Sequence, residues 1–205
     1  MRLGIIGPIG SGKSLLSKKL AKHYGCPLLE EPVEKNEYLP YFYKDKETFA
    51  MLSQNAFYSS LFLLMWKTKD EPNVICDSTL YSNLVFTELL RLEGLMSAME
   101  VALTYAIADE HLKRIPDLDL QIVLVRPTSQ LFANVRKRGR AIEKGQEDYL
   151  NFHYAHYYDV LKRLFKNCKV PDKKILWLEL NDMEEEKEFD RIVATIEEAY
   201  KKSIQ

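Results

Sequence analysis

Short apolar runs alternate along this chain with longer stretches in which apolar side chains recur at helical spacing. Runs typical of buried strands lie at 2–6, 27–31, 73–77, 118–125 and 174–180. Helical patterns cover 15–24, 46–67, 80–114 with an interruption near Gly94, 128–137 and 147–167. A last amphipathic helix carries on one face Phe189, Ile192, Val193, Ile196 and Tyr200. The alternation predicts an α/β fold with a five-stranded parallel sheet flanked by helices on both faces.

The turn between the first strand and the first helix matches the phosphate-binding pattern G-x-x-x-x-G-K-[ST]. It consists of Gly7, Pro8, Ile9, Gly10, Ser11, Gly12, Lys13 and Ser14. Glycines allow the backbone N–H groups of such a loop to surround a polyphosphate, to which the next helix presents its positive end. In this pattern Lys13 reaches the outer phosphates and the Ser14 hydroxyl is a ligand for Mg²⁺. A glycine-rich turn that binds nothing is disfavoured, because strand, loop and helix occur in the required order.

Composition restricts the class of partner and the number of domains. The 205 residues are 46% hydrophobic and 29% charged, with a formal net charge of −1. These values predict one domain over 1–205, and give no support for a nucleic-acid or membrane partner. Cys26, Cys76 and Cys168 form neither a zinc pattern nor an evident disulfide framework, which favours a cytoplasmic location. Neither a signal peptide nor a run long enough to span a bilayer is expected.

Acidic side chains follow two of the predicted strands, at the ends where parallel sheets bind ligands. Glu30 and Glu31 follow the second run. If the first two strands are near neighbours, a carboxylate there could take a proton from an attacking hydroxyl, and two solvated acids are the alternative. Asp77 ends the third run, where it could hold Mg²⁺ beside Ser14, cap the following helix, or do both.

The only dense basic cluster, 136–140, follows a predicted helix and contains Gly139. A mobile lid that carries arginines could neutralise a transferring phosphoryl group, because guanidinium donors bind phosphate oxygens in pairs. A basic helix end that is favoured by the helix dipole is the alternative interpretation. Both interpretations place these side chains near the end of a helix.

Candidate positions for binding a planar base are less specific. The aromatic segment 38–43 could form the wall of a pocket or part of the core. Gln54 and Asn83 have the donors and acceptors to recognise a nucleobase edge, although such amides are more often surface groups. His153 and His156 lie three residues apart on one predicted helix, but no third metal ligand is evident nearby. Packing or surface positions are therefore favoured for both histidines.

Taken together, these segments resemble the deoxynucleoside kinase family, particularly its bacterial purine deoxynucleoside members. The resemblance runs from the loop at 7–14 to a predicted lid at about 136–146. The matching residues, after the loop itself, are Glu31-Pro32-Val33, Asn36, Tyr38, Leu39, Phe42, Tyr43, Gln54, Asp77, Tyr81, Arg136, Arg138, Gly139, Arg140 and Glu143. The resemblance implies a P-loop kinase fold with an arginine-rich lid, and ATP with Mg²⁺ as the phosphoryl donor.

The resemblance also implies a role for each matched residue. Glu31 is expected to activate a 5′-hydroxyl, while Ser14 and Asp77 serve Mg²⁺. The cations expected to stabilise the transferring phosphoryl group are Lys13, Arg138 and Arg140, with Arg136 a weaker candidate beside ATP. The residues expected to bind the deoxynucleoside are Glu31, Leu39, Tyr43, Gln54, Asn83, Phe86 and Glu143. Among them Tyr43 and Glu143 would bind the 3′-hydroxyl, Gln54 would read the base, and Phe86 would stack on it.

The chain departs from the family pattern at three positions. Ser78 replaces the arginine that normally follows the acid at Asp77, which removes a cation close to the phosphates. Leu61 replaces a second base-reading arginine and Asn83 replaces its acidic partner, so cytosine-type recognition is disfavoured. Some bacterial members with guanosine preference also lack the first arginine and carry the asparagine. Deoxyguanosine is therefore expected ahead of deoxyadenosine.

Two other functions remain open from the sequence. A thymidylate-kinase-like nucleoside monophosphate kinase must bind an acceptor phosphate, usually with an arginine where this chain has Ser78. A weakly active nucleotide-binding subunit of a heteromeric kinase is favoured by Ser78 but disfavoured by the retained Glu31 and Lys13. A homodimer, as in the resembled family, could use the apolar stretch 84–107, although a buried core helix explains that stretch equally well.

Overall fold

A five-stranded parallel sheet forms the centre of the molecule. The computed structural model describes residues 1–181 and 185–205, apart from the side chain of Ile142. Within these ranges the strand order is β2-β3-β1-β4-β5, and every pairing is parallel. The strands are β1 (Arg2–Ile6), β2 (Leu28–Leu29), β3 (Val74–Cys76), β4 (Leu120–Val125) and β5 (Ile175–Glu179). The predicted five-stranded parallel sheet is thereby confirmed.

Eight α-helices are present in the described part of the chain. They are α1 (Lys13–Tyr24), α2 (Leu39–Phe42), α3 (Lys46–Lys67), α4 (Leu80–Leu92), α5 (Ala98–Leu112), α6 (Thr128–Arg138), α7 (Glu147–Asn167) and α8 (Glu186–Ser203). None of these helices, within the ranges that the structure describes, is long and apolar enough to cross a membrane. The short helix α2 was not predicted, because four residues are too few to show a helical period.

The helices cover both faces of the sheet, as predicted. Alternate side chains of a strand point to opposite faces, so each face has its own apolar core. On one face, Ile6, Cys76 and Val123 pack with residues of α3, α4, α5 and α7. On the other face, Leu3, Ile5, Ile75 and Ile122 pack with residues of α1 and α8. A third apolar cluster lies beyond the sheet, where α2, α3 and α4 meet α6 and α7.

The first two strands are not direct neighbours, because β3 lies between β1 and β2. The short β2 pairs only with β3, through Leu28 with Ile75 and Leu29 with Cys76. With one strand between them, β1 and β2 are near neighbours, which is the condition under which Glu31 was expected to lie beside the phosphate loop. Asp77 follows β3, the strand that lies between these two strands.

The predicted helix over 80–114 is divided into α4 and α5. Each part begins with a reciprocal cap, in which a hydroxyl and the side chain three residues later satisfy each other's backbone N–H groups. Thr79 and Ser82 form the cap of α4, and Ser97 and Glu100 form that of α5. The cap of α4 is thus Thr79 and not Asp77. This excludes the helix-capping alternative for Asp77 and leaves its carboxylate for another partner.

Candidate active site

The phosphate loop joins β1 to α1 with two glycines in the left-handed region of φ. Gly10 has φ +82° and Gly12 has φ +97°, values that side-chain-bearing residues rarely adopt. A Cβ atom on Gly10 would also lie only 2.6 Å from the carbonyl oxygen of Leu131 in α6. The side-chain amide of Asn134, also in α6, donates to the Gly10 carbonyl oxygen over 2.7 Å. The loop is therefore fixed against the helix that leads into the predicted lid.

Lys13 lies across this loop. Its ammonium group donates to the carbonyl oxygens of Gly7 at 2.9 Å and Pro8 at 3.3 Å. These contacts hold the positive charge at the mouth of the loop, where the outer phosphates of a nucleotide would lie. Gly7 and Pro8 thus position the lysine, and they line neither of the two cavities described below.

Asp77 is buried next to the loop. Burial raises the pKa of its carboxyl group, while the nearby Ser14 hydroxyl and Lys13 ammonium oppose this shift by favouring the charged form. Its Oδ1 atom is buried and has no hydrogen-bond partner in the described structure. A carboxylate oxygen without another partner beside a hydroxyl is suited to Mg²⁺, which prefers hard oxygen ligands. Ser14 and Asp77 therefore fit the metal that the sequence predicts.

An outer cavity of about 860 Å³ surrounds the loop. Its walls include the loop, Asp77, and residues that follow β4 and β5. The residues of these elements that line the cavity include Gly10, Ser11, Gly12, Lys13, Ser14, Asp77, Arg126, Pro127, Gln130, Asn134, Leu180 and Asn181. The sequence interpretation considered only the ends of the first three strands. The same rule about strand ends, applied to β4 and β5, would have found the positions at Arg126 and Asn181.

An inner cavity lies on the other side of Lys13, beneath α2 and α3. It brings together all of the residues predicted to bind the deoxynucleoside, namely Glu31, Leu39, Tyr43, Gln54, Asn83, Phe86 and Glu143. Its remaining wall includes Ile9, Val33, Phe42, Ser53, Phe57, Leu61 and Tyr149. Phe57 lies three residues after Gln54 on α3, a spacing that places both on one helix face. That spacing could have identified Phe57 from the sequence.

A hydrogen bond orients the two amide side chains in the inner cavity. The Nδ2 atom of Asn83 donates to the backbone oxygen and the Oε1 atom of Gln54, each at 3.0 Å. The Oδ1 atom of Asn83 is buried without a partner. The pair therefore leaves the N–H groups of Gln54 as donors and the carbonyl of Asn83 as an acceptor. Leu61 lines the same cavity and adds no charge.

The segment predicted to form the lid carries an ion pair that lines the inner cavity. The buried carboxylate of Glu143 contacts the Arg138 guanidinium through Oε1, and Arg140 lies 4.0 Å from the same oxygen. Its second oxygen, Oε2, is buried without a partner. Burial, and after it the Glu143 charge, raises the pKa of the Tyr43 hydroxyl above its ordinary value. At neutral pH Tyr43 is thus a donor that lies beside a carboxylate acceptor.

The inner and outer cavities meet at a group of charged residues. Lys13, Glu31, Arg138 and Arg140 line both cavities. Glu30 lines neither cavity; its side chain is 59% exposed and pairs with Lys18 at 3.2 Å. Of the two acids that follow the second strand, the structure therefore places only Glu31 between the cavities.

Four other highlighted residues lie outside both cavities. Arg136, a candidate for binding ATP, lines neither cavity. Ser78 also lies outside both cavities, and its buried hydroxyl has no hydrogen-bond partner in the described structure. His153 is buried against Tyr149 with ring centroids 4.1 Å apart, whereas His156 is exposed. Within the described ranges, no group of three or more His, Cys, Asp or Glu residues is arranged to hold a metal. The histidines thus occupy a packing and a surface position.

Comparisons with known proteins place this arrangement in a family. The model of the deoxynucleoside kinase family matches residues 3–201. The chain belongs to the deoxynucleoside kinase family. This membership confirms the resemblance inferred from the motifs, and with it the prediction that the chain is an ATP-dependent kinase of this family.

Several curated relatives carry the names of purine deoxynucleoside kinases. A deoxyguanosine kinase of Dictyostelium discoideum is 34% identical over 67% of this chain, which spans 50% of that longer protein. A deoxyguanosine kinase of Lactobacillus acidophilus is 30% identical over 78% of this chain and 71% of its own length. That of Bacillus subtilis is 27% identical over 96% of each chain.

Solved structures share the fold. A deoxyadenosine kinase from M. mycoides with bound dATP has a TM-score of 0.76 at 22% identity, covering 96% of this chain and 100% of its own. A second structure of that enzyme, with products dCMP and dCDP, has a TM-score of 0.77 at 21% identity and covers 97% of this chain and 100% of its own. These likenesses confirm the predicted P-loop kinase fold.

Proposed function

We propose that this protein transfers the γ-phosphoryl group of Mg-ATP to the 5′-hydroxyl of a purine deoxynucleoside, with deoxyguanosine preferred over deoxyadenosine. The observation that carries the proposal is the set of charged residues common to both cavities. A carboxylate, Glu31, and three cations, Lys13, Arg138 and Arg140, lie where a nucleoside in the inner cavity would meet a nucleotide in the outer one. Phosphoryl transfer requires this combination of base and positive charge.

The reaction follows from these positions. The 5′-oxygen attacks the γ-phosphorus, its proton passes to the Glu31 carboxylate, and the bond to the β-phosphate oxygen breaks to release ADP. The charge on the transferring group is neutralised by Lys13, Arg138 and Arg140. Ser14 and Asp77 would hold Mg²⁺, which contributes positive charge beside the phosphates when it is bound. Closure of the predicted lid at 136–146 would exclude water, so that the phosphoryl group is not lost to hydrolysis.

The sugar and the base have separate binding groups in the inner cavity. The Tyr43 hydroxyl and the unpartnered Oε2 atom of Glu143 can donate to and accept from a 3′-hydroxyl. A guanine presents a carbonyl beside an N–H group, which matches the Gln54 donor and the Asn83 acceptor. Adenine also offers one acceptor and one donor, although in a different arrangement. We therefore expect the protein to prefer deoxyguanosine but still to accept deoxyadenosine. Two relatives named deoxyguanosine kinase are 34% and 30% identical, and two named deoxyadenosine kinase are 29% and 24% identical.

A panel of acceptors tests this proposal. The purified protein is incubated with Mg-ATP and each deoxynucleoside or deoxynucleoside monophosphate, and the products are separated by chromatography. We expect monophosphates from deoxyguanosine and then deoxyadenosine, with kcat/KM at least about tenfold lower for deoxycytidine and thymidine. Formation of diphosphates would instead indicate a nucleoside monophosphate kinase. ATP binding without turnover would indicate a nucleotide-binding subunit that needs a partner enzyme.

We also propose that the protein is a cytoplasmic homodimer. Met99, Leu103 and Ile107 recur at every fourth residue of α5 and are 69%, 47% and 43% exposed, and Leu92 at the end of α4 is also exposed. Such a spacing places the three residues of α5 in one stripe along the helix. An apolar stripe of this kind on two copies can pack against itself about a two-fold axis. The three cysteines are free, which is consistent with a reducing compartment.

Replacing Leu103 by lysine is expected to convert the dimer to a monomer, because the stripe would then bring two like charges together. Light scattering after size exclusion at about 10 µM protein measures the mass. Ile204→Lys is the control, since Ile204 is exposed at the end of α8, which packs on the opposite face of the sheet. A wild-type chain that is monomeric at this concentration would contradict the proposal.

A further inference from the structure

The helix α6 packs directly against the phosphate loop and ends at one of the arginines proposed to act in phosphoryl transfer. A Cβ atom on Gly10 would be 2.6 Å from the backbone oxygen of Leu131 and 3.0 Å from Cγ2 of Val135. Both of these α6 residues are buried in the third apolar cluster, against which Ile9 of the loop also packs. The loop and the helix are therefore in close contact through backbone and side chains.

Asn134 adds a directed polar contact between the helix and the loop. Its Nδ2 atom donates to the carbonyl oxygen of Gly10 over 2.7 Å, and its Oδ1 atom accepts from Nε2 of Gln130 over 2.9 Å. Gln130 lies one helical turn earlier on α6. Because both polar atoms of the Asn134 amide have partners, the orientation of the amide is fixed.

The peptide group that Asn134 contacts is also held from within the loop. The N–H of Ser11, which belongs to the same peptide unit as the Gly10 carbonyl, donates to the carbonyl oxygen of Pro8 over 3.1 Å. In a trans peptide these two groups point in opposite directions, so the unit is bound on both sides. Asn134 therefore connects α6 to a part of the loop that cannot turn easily.

Arg138 lies on the face of α6 that touches the loop. The positions on this face follow the helical spacing i, i+3, i+4 and i+7, and they are Leu131, Asn134, Val135 and Arg138. Arg138 is the last residue of α6, and the next N–H, from Gly139, still donates to the carbonyl oxygen of Val135. A shift of α6 along the loop would therefore displace the Arg138 backbone by the same amount.

We propose that Asn134 is a positioning residue for phosphoryl transfer, which sets the place of Arg138 relative to the phosphate loop by holding the Gly10 carbonyl oxygen. The inference rests on the proposed kinase function and adds to it a residue that acts through another. The effect is expected to be large for one hydrogen bond, because a misplacement of about 1 Å in an active site can lower the rate about 100-fold.

Asn134→Leu removes the donor at similar volume. At saturating Mg-ATP we expect kcat for deoxyguanosine to fall about tenfold, while KM for deoxyguanosine stays within about twofold, because Asn134 does not line the inner cavity. Asn134→Ala, which cannot clash with the loop, should give the same result. The melting temperature should stay within about 4 °C of the wild type in both variants.

The matched control is Asn151→Leu, the same change at an exposed position of α7 that lines neither cavity. Its kcat should equal that of the wild type. Unchanged kcat in both Asn134 variants, or an equal loss in the control, would overturn the inference. A wild-type protein that phosphorylates no deoxynucleoside would contradict the proposed function as well, so the two failures are distinguishable.

A double-mutant cycle with Arg138→Met tests whether Asn134 acts through the arginine. Once the guanidinium is absent there is nothing left to position, so adding Asn134→Leu should lower kcat by less than about twofold. Steady-state kinetics of the two single variants and the double variant, at saturating Mg-ATP, measures the coupling. The same tenfold loss with and without Arg138 would show that Asn134 acts independently of the arginine, and would refute the inference.

Discussion

Glu31→Gln is expected to lower kcat by about 10²- to 10⁴-fold while ATP binding changes little. Glutamine keeps the shape of the side chain but cannot accept the proton of the 5′-hydroxyl. Because Glu31 lies at the junction of the two cavities and not in the loop itself, we expect the proposed contacts of Lys13 and Ser14 with the phosphates to be retained. Initial rates with deoxyguanosine, together with calorimetric titration of a non-hydrolysable ATP analogue, measure the two effects separately.

The neighbouring acid provides a matched control. Glu30→Gln makes the same chemical change one residue away, at a side chain that pairs with Lys18 on the surface. An exposed pair of this kind contributes little to stability, so both the rate and the melting temperature should stay close to those of the wild type. If the two variants lose activity equally, or if Glu31→Gln remains fully active, Glu31 is not the base.

Arg138→Met is expected to lower kcat by about a thousandfold or more and to raise KM for the nucleoside. An arginine directed at the transferring phosphoryl group has an effect of this size in other phosphoryl-transfer enzymes. Arg138 also pairs with the Glu143 carboxylate, which lines the inner cavity, so its removal disturbs the group that is proposed to bind the sugar. Steady-state kinetics with the deoxynucleoside varied at saturating Mg-ATP measures both parameters.

Arg136→Met is the corresponding control on the same helix. Arg136 lies two positions before Arg138 on α6, and it lines neither cavity. Loss of a charge at this distance is largely screened, so the rate should remain within about threefold of the wild type. A larger defect in Arg136→Met than in Arg138→Met would show that the lid is turned differently when both substrates are bound.

Local signals in the sequence predicted the helices well, and the arrangement of the strands less so. The bounds of α3 and α7 agree with the predicted ranges 46–67 and 147–167, because a helical period is repeated many times within one segment. The position of β3 between β1 and β2 is set by pairing between distant segments. Because β2 has only two residues, it contains no pattern that could specify the strand with which it pairs.

The candidate site was predicted to the extent that strand ends and motifs mark it. Glu31 and Asp77 were found because both follow strands, and only the family resemblance, not the strand end itself, distinguished Glu31 from Glu30. Adjacent side chains point in different directions, and only the folded chain shows that Glu30 turns to Lys18. Tyr149 reaches the inner cavity from the start of α7, more than a hundred residues from the phosphate loop. No local sequence pattern could predict that contact.

Leu61 and Asn83 make a change of base specificity difficult to reach by single substitutions. Both are buried and both line the inner cavity. An arginine at 61 alone, or an aspartate at 83 alone, would bury a charge without its partner, at a cost of about 3–5 kcal/mol. A loss of that size is a large part of the total stability of a typical domain, which is about 5–15 kcal/mol. The two substitutions are therefore epistatic, and a lineage with the leucine–asparagine pair would have to acquire both charges together, or gain stability elsewhere first.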